Sequence, residues 1–484
     1  MEFNSLHYLV FLAIVIVVYY IIPKNNIRNI FLLISSYYFY MSWEKNLFFL
    51  IIGVTMISYV GAILINRFEK YRNYVLFCCV FLSVSILFAF KYLNFFIDTI
   101  VAASNRFANT EWVSFEINIL LPVGISFYTF QSISYLVDVY RGKINPEYRF
   151  VDYALYISFF PTVTSGPIER SEHFLPQLKT KTPFLFDNLN RGLQIFIWGL
   201  FKKVVIADRL ALLVDAIYSD MSNYNGYAML VAVFAFSLQM YCDFSAYSDL
   251  AIGSANMLGF ELIDNFDTPY FACSVKDFWR RWHISLSSWF RDYVYIPLGG
   301  NRISKIRTKI NLMITFLVSG LWHGANWTFI VWGGLHGILQ IMEGYIWKSD
   351  GKNNKSRGWV LFGRVICTFV LVSVAWIFFR ADSVNQALLI IKSCFDLGFS
   401  GLRADIATMV NNGFDKLFYV ATVLSIIILL CNDLVKYKKG DYWFVLNRNS
   451  YMSALHSVML CAFVFVLGIY GSMYDAATFI YFQF

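Results

Sequence analysis

The 484-residue chain is 58% apolar, 19% aromatic and only 14% charged, with a formal net charge of +8 and a mean hydropathy of +0.56. So little polar side chain cannot cover a water-soluble globule of this length. The excess of Lys and Arg is spread over short connections rather than gathered on one face, which argues against a nucleic-acid partner despite a pI near 8.9.

Apolar runs of the length that crosses about 30 Å of hydrocarbon as helix fall near 6–22, 28–42, 46–65, 73–92, 117–139, 192–212, 228–258, 310–347 (interrupted), 359–379, 416–435 and 455–472. They are continuous rather than alternating, so a β-barrel does not fit. The pattern predicts an all-α polytopic membrane protein with about eleven or more transmembrane helices. It reads as a single integral-membrane domain, 1–484, with N-terminal helices in 1–116, the chemistry-bearing motifs in 117–347 and C-terminal helices in 348–484. The polar intervals 140–190 and 262–310 keep aromatic and aliphatic clusters and predict interfacial or re-entrant pieces. The first run follows only "MEFNS", with no basic stretch before it and no clear small-residue cleavage site after it, and predicts a retained helix rather than a signal peptide. Neither end carries a lipidation motif.

Lys24 and Arg28, then Arg67, Lys70 and Arg72, then Arg141, Lys143 and Arg149, then Lys348, Lys352, Lys355 and Arg357, then Lys436, Lys438, Lys439 and Arg448 fall in alternate connections. Basic connections face the cytoplasm. This predicts a multi-pass protein of the cytoplasmic membrane with its C-terminus outside. The eight cysteines form no CxxC and mostly sit in apolar runs, where a reduced thiol packs as a small hydrophobe.

Titratable groups inside such runs are expensive and therefore informative. His7 and His456 fall at helix starts and His173 in a polar loop, where interfacial placement explains them. His323, in "SGLWHGANW", stands in a glycine-rich break within an apolar segment, and is the leading candidate. His336 follows thirteen residues later, about 20 Å along an unbroken helix. It either lines another depth of the same passage or packs. In "FWRRWHISLSSWFRDYVYIPLGG", residues 278–300, Arg280, His283, Ser287 and Arg291 recur at spacings of three and four, with Trp282, Leu286, Trp289 and Tyr293 on another face. This predicts one amphipathic cytoplasmic helix, closed by Pro297 and Gly299-Gly300. It reads as an interfacial anchor or as a basic, aromatic mouth for an anionic or carrier-bound donor. In "QMYCDFSAYSD", Asp243 with Tyr247 and Ser245 with Asp249 form i,i+4 pairs, open to a role as interhelical glue or to catalysis.

No phosphate-binding glycine loop, dinucleotide fingerprint, serine-hydrolase elbow or metal-ligand spacing is present, so no bound cofactor or metal is expected. What remains is a histidine in a dry passage, suited to take a proton from an attacking hydroxyl. Acyl transfer from a thioester, which needs no metal or nucleotide at the point of transfer, is the economical chemistry. A transporter or polysaccharide-export component with a histidine proton relay fits the same residues, as does a scaffold for a polysaccharide synthase.

The segments "LPVGISFYTFQSISYLVDVYRG", "SGPIER", "YCDFSAYSDLAIG", "NFDTPYFACSVKDFWRRWHISLSSWFRDYVYIPLGGNR", "GLWHGANWTFIVWGGLHG", "WIFFRADS" and the terminal "FIYFQF" resemble the membrane-bound O-acyltransferase (MBOAT) family over nearly the whole chain. The resemblance is to its bacterial branch for O-acetylation of alginate-type polysaccharides, with D-alanyl transfer proteins as more distant relatives. It implies a ring of tilted, re-entrant and interfacial helices around a central tunnel. It also implies that His323 is the essential histidine and His283 the second characteristic one. Trp279, Arg280, Arg281, Trp282, Ser287, Arg291, Asp243, Tyr247, Asn326 and His336 are candidates for lining the tunnel or holding the donor. The donor implied is acetyl-CoA or an acyl carrier protein. The partners implied are a separate extracytoplasmic acetyltransferase of SGNH-hydrolase type and polysaccharide biosynthesis machinery.

Overall fold

A computed structural model describes residues 1–108, 112–115, 117, 122–346, 358–442, 450–470 and 479. Among the described residues every regular element is helical, as a bilayer demands of segments that must satisfy their own backbone. Five segments there are long and apolar enough to cross a membrane: Lys45–Arg67, Glu69–Lys91, Gly226–Met257, Gly358–Arg380 and Lys416–Lys439. The basic connection at 348–357, Arg448 and all of "FIYFQF" except Phe479 lie outside the described residues. The chain divides into two compact units, Met1–Gly192 with Ala251–Ile263, and Leu193–Leu250 with Asp264–Phe484.

The first unit holds α1 (Leu6–Ile21), α2 (Asn25–Met41), α3 (Phe48–Arg67), α4 (Arg72–Lys91), α5 (Leu93–Ala108), α6 (Ile125–Tyr140), α7 (Phe150–Ser158), α8 (Ser171–Lys179) and the start of α9 (Phe186–Leu200). Helix α6 is buried around nearly its whole circumference, while α4 buries only Ser83 and Leu87 and turns Tyr74, Phe77 and Phe81 outward. Outward rings on a spanning helix cost nothing where the solvent is lipid. Polar side chains tie the interior: Asn29 donates to Asp152 at 2.8 Å and the Tyr153 hydroxyl to Ser58 at 2.6 Å.

Three sequence expectations change here. Helix α5 fell in a stretch read as a connection, because Asn94, Asp98, Asn105 and Arg106 interrupt its apolar run. Within the run read as 117–139, α6 begins at Ile125, after Gly124 at φ +78°. A Cβ on Gly124 would lie 2.1 Å from the Val163 carbonyl oxygen, so only glycine fits that start. His173 lies on α8 rather than in a loop, its Nδ1 2.9 Å from the buried Glu169 carboxylate.

The second unit continues α9 through a π-helical segment, Phe201–Ala207, into α10 (Asp208–Ser219) and α11 (Gly226–Met257), whose last turns from Ala251 belong to the first unit. The short helices α12 (Val275–Arg281) and α13 (Ile284–Phe290) and a second π-helical segment, Arg291–Tyr295, follow. Then come α14 (Lys305–His323), α15 (Trp327–Ile346), α16 (Gly358–Arg380), α17 (Val384–Ser393), α18 (Phe399–Asn411), α19 (Lys416–Lys439) and α20 (Ser450–Leu467). On α19, Val420, Val423, Ile427, Leu430 and Leu434 are exposed at helical spacing, a lipid-facing stripe. The core of this unit is aromatic, with Trp198, Trp282, Trp332 and Trp376 fully buried.

Candidate active site

The interrupted run at 310–347 folds back on itself. Helix α14 ends at His323, the chain turns through Gly324, Ala325 and Asn326, and α15 begins at Trp327. Glycine sets how closely the two helices pack. A Cβ on Gly320 would lie 2.3 Å from the Phe329 carbonyl oxygen, and one on Gly333 2.3 Å from that of Phe316. Asn326 closes the turn: its Oδ1 accepts the Thr328 backbone N–H at 3.0 Å, an N-cap for α15, and its amide donates to the Asp382 carbonyl at 3.1 Å. Its role here is to shape the turn.

This hairpin corrects the distance expected between the histidines. The Trp332 ring is 4.8 Å from His323 and 5.0 Å from His336, which puts the imidazoles within about 10 Å of each other rather than 20 Å apart. His323 is 3% exposed, with Trp322 at 4.7 Å, Trp332 at 4.8 Å and Phe379 at 5.4 Å between ring centres. His336 is fully buried among Phe278, Trp279, Phe316 and Trp332, and its Nδ1 accepts the Trp279 indole N–H at 3.2 Å.

Residues 278–300 do not form the single amphipathic helix that the spacing suggested. Between α12 and α13 His283 takes a left-handed backbone, φ +44°, costly for a side chain with a Cβ and of the kind found at functional sites. The break rotates the phase. His283 turns inward and is fully buried, while Arg280 and Arg291 on either side are exposed, so the expected polar face does not exist. The segment around Asn265 holds the break in place. The Ile284 N–H donates to the Asn265 carbonyl and the Asp267 N–H to that of Arg281, both at 2.9 Å.

The Asn265 side chain also fixes the ring. Its Oδ1 accepts the Ser285 backbone N–H at 3.2 Å and the Ser285 hydroxyl at 2.8 Å. An atom that accepts a backbone N–H is an acceptor, so the contact from His283 Nδ1 at 3.1 Å is an N–H donated to it. Burial holds this imidazole below its ordinary pKa and therefore neutral, which leaves the lone pair on Nε2. The His283 and His323 rings pack against one indole, Trp322, at 6.2 and 4.7 Å.

The remaining candidates divide between the core and the surface. Trp282 packs on Trp376 at 5.1 Å and Phe266 at 5.0 Å. Arg281 pairs with Asp277 and Asp267 at 3.2 and 3.3 Å and stacks on Tyr437. The Ser287 hydroxyl donates to the Trp282 carbonyl, and Arg291 pairs with neighbouring Asp292. Tyr247 stacks on Phe479 at 3.9 Å.

Asp243 and Asp249 pair not with their i+4 neighbours but with two buried lysines that the sequence reading passed over. The π-helical segment presents Lys202 to Asp249 at 2.8 Å and Ser245 at 2.6 Å, and Lys203 to Asp243 at 2.7 Å and Asp208 at 2.9 Å. Two adjacent lysines inside a run expected to span were the signal that could have found them. Among the described residues no three His, Cys, Asp or Glu side chains gather as metal ligands do.

Imidazoles within an aromatic shell that excludes water suit proton transfer at a reacting carbonyl or hydroxyl. Residues 145–349, which contain every one of these groups from Asp243 to His336, match the model of the membrane-bound O-acyltransferase family. The chain is 40% identical over 403 residues to the probable alginate O-acetylase AlgI of Pseudomonas syringae pv. tomato, covering 82% of this chain and 76% of that one. It is 32% identical over 497 residues to the peptidoglycan O-acetyltransferase of Helicobacter pylori, 94% of this chain and 91% of that one. With the teichoic acid D-alanyltransferase of Streptococcus thermophilus it shares 28% identity over 281 residues, 53% of this chain and 68% of that one.

Proposed function

Because this chain belongs to the membrane-bound O-acyltransferase family, we propose that it passes an acetyl group from a thioester on the cytoplasmic side of the cell membrane toward an exported glycan. The relatives named for alginate and for peptidoglycan support a polymer hydroxyl outside the cell as the destination. His323 is the general base, taking the proton of the attacking hydroxyl. His283, with its proton on Nδ1 and an acceptor at Nε2, orients the donor. Acetyl-CoA or an acylated carrier protein brings the acetyl group, and an extracytoplasmic SGNH-type acetyltransferase, working with the polysaccharide machinery, completes the transfer. The alternation of Lys and Arg between connections supports a cytoplasmic mouth at 262–310 and an external C-terminus.

The observation that carries this reading is the placement of His323, 3% exposed at a helix end and ringed by Trp322, Trp332 and Phe379. Water kept from the thioester is hydrolysis avoided. The test is alkali-releasable acetate on the exported polysaccharide, compared between wild type and His323→Gln at matched membrane protein levels. Loss of acetate with polymer still exported is expected. Unchanged acetate refutes His323 as the base, and loss of the polymer itself favours a transport role.

A further inference from the structure

Two N–H groups beside His323 meet no acceptor among the described residues. His336 is fully buried, and its Nδ1 accepts from Trp279 at 3.2 Å. A ring nitrogen that accepts carries no proton, so the proton of this neutral imidazole sits on Nε2. That Nε2–H is buried without an acceptor. Trp332 is also fully buried, and its indole N–H, which can only donate, has none either. The two rings stand 5.0 Å apart at 74°, and Trp332 lies 4.8 Å from His323.

Each buried donor left unmatched costs about 1–3 kcal/mol, and a phenylalanine at 332 would fill its position without that cost. Two neighbouring ones, next to the histidine of a transferase, match a group that only accepts: the oxygen of a carbonyl. On the acyltransferase reading above, we propose that the Nε2–H of His336 and the Nε1–H of Trp332 bind the carbonyl oxygen of the acyl thioester and the oxyanion it becomes. The assignment also divides the labour. His283, with its proton committed to Asn265, offers an acceptor and so does not polarise a carbonyl. The hydroxyl oxygen attacks the thioester carbon and forms the new C–O bond, and the carbonyl electron pair moves onto the oxygen held by the two N–H groups. Collapse of the oxyanion breaks the C–S bond. His323 returns the hydroxyl proton to the departing thiolate, giving an ester and a free thiol.

Membranes carrying the full-length protein, supplied with acetyl-CoA as probe, give the test through the rate of CoA release. Trp332→Phe keeps a ring between His323 and His336 and deletes only the donor. Its kcat is expected to fall roughly 100-fold with KM changed by no more than about twofold, since a donor aimed at the oxyanion acts in the transition state. His336→Gln, which can accept from Trp279 and donate in place of Nε2–H, is expected to recover activity to within about tenfold of wild type, whereas His336→Phe is not. Unchanged kcat in Trp332→Phe overturns the proposal, as does a raised KM alone, which would mean that the pair grips a remote part of the donor. Equal CoA release by wild type and His323→Gln refutes His323 as the base, and CoA release by wild type no faster than by membranes lacking the protein refutes the acyltransferase reading itself, both results distinct from either.

Discussion

The side chain of Asn265 holds the imidazole of His283 by one oxygen, Oδ1, which takes the Nδ1–H at 3.1 Å and, from Ser285, both the backbone N–H and the hydroxyl. One atom thus fixes the orientation and tautomer of the ring and ties down the start of the helix that follows it. Asn265 stands in "NFDTPY", a stretch with no histidine, cysteine or paired charge to draw notice.

Asn265→Ala is expected to lower acetyl transfer roughly 100-fold, the cost of about 1 Å of misplacement at a reacting group. Asn265→Asp keeps the acceptor, but its charge favours the protonated ring and raises the His283 pKa. Its activity is expected to fall off at a higher pH on the acid side than wild type does. Rates of CoA release between pH 5 and 8 check both variants. An Asn265→Ala protein with wild-type rate would show that His283 needs no such partner.

The buried pair of Lys202 and Asp249, 1% and 13% exposed at their side chains, separates a structural role from a proton relay. Removing one partner leaves a buried charge, at a cost of about 3–5 kcal/mol, while replacing both with apolar residues is close to neutral. Lys202→Met should therefore deplete folded protein in the membrane, and Lys202→Met with Asp249→Leu should restore it together with acetyl transfer. Fluorescence-detected size exclusion and released acetate read the two effects. Restored protein without restored transfer would assign the pair to the chemistry.

The five helices long and apolar enough to cross a membrane among the described residues were legible because an apolar run of the right length has few other solutions in a bilayer. The break after His323 was legible because glycines on either side of a titratable ring interrupt such a run. What periodicity missed follows from a single assumption, that helical phase continues. One left-handed residue at His283 turns the spacing of Arg280, His283, Ser287 and Arg291 into a coincidence. The turn at Gly324–Asn326 likewise brings His336 back toward His323. Long-range partners such as Lys203 for Asp243 or Trp279 for His336 leave no trace in local spacing.

The α14–α15 hairpin gives the sharpest check on whether its geometry sets activity. Gly320 and Gly333 each face a backbone carbonyl of the opposite helix, 2.3 Å from where a Cβ would stand. A backbone atom cannot swing aside as a side chain does. Gly320→Ala or Gly333→Ala must therefore part the helices and shift His323 from Trp332. About 10- to 100-fold loss of acetyl transfer is expected, with the protein still inserted. Gly344→Ala, on the same α15 with nothing within 4 Å of its Cβ, is the matched control. It should gain a few tenths to about 1 kcal/mol of helix stability and keep full activity. Should Gly320→Ala match Gly344→Ala in released acetate, the spacing of the hairpin would not be what holds His323 in working position.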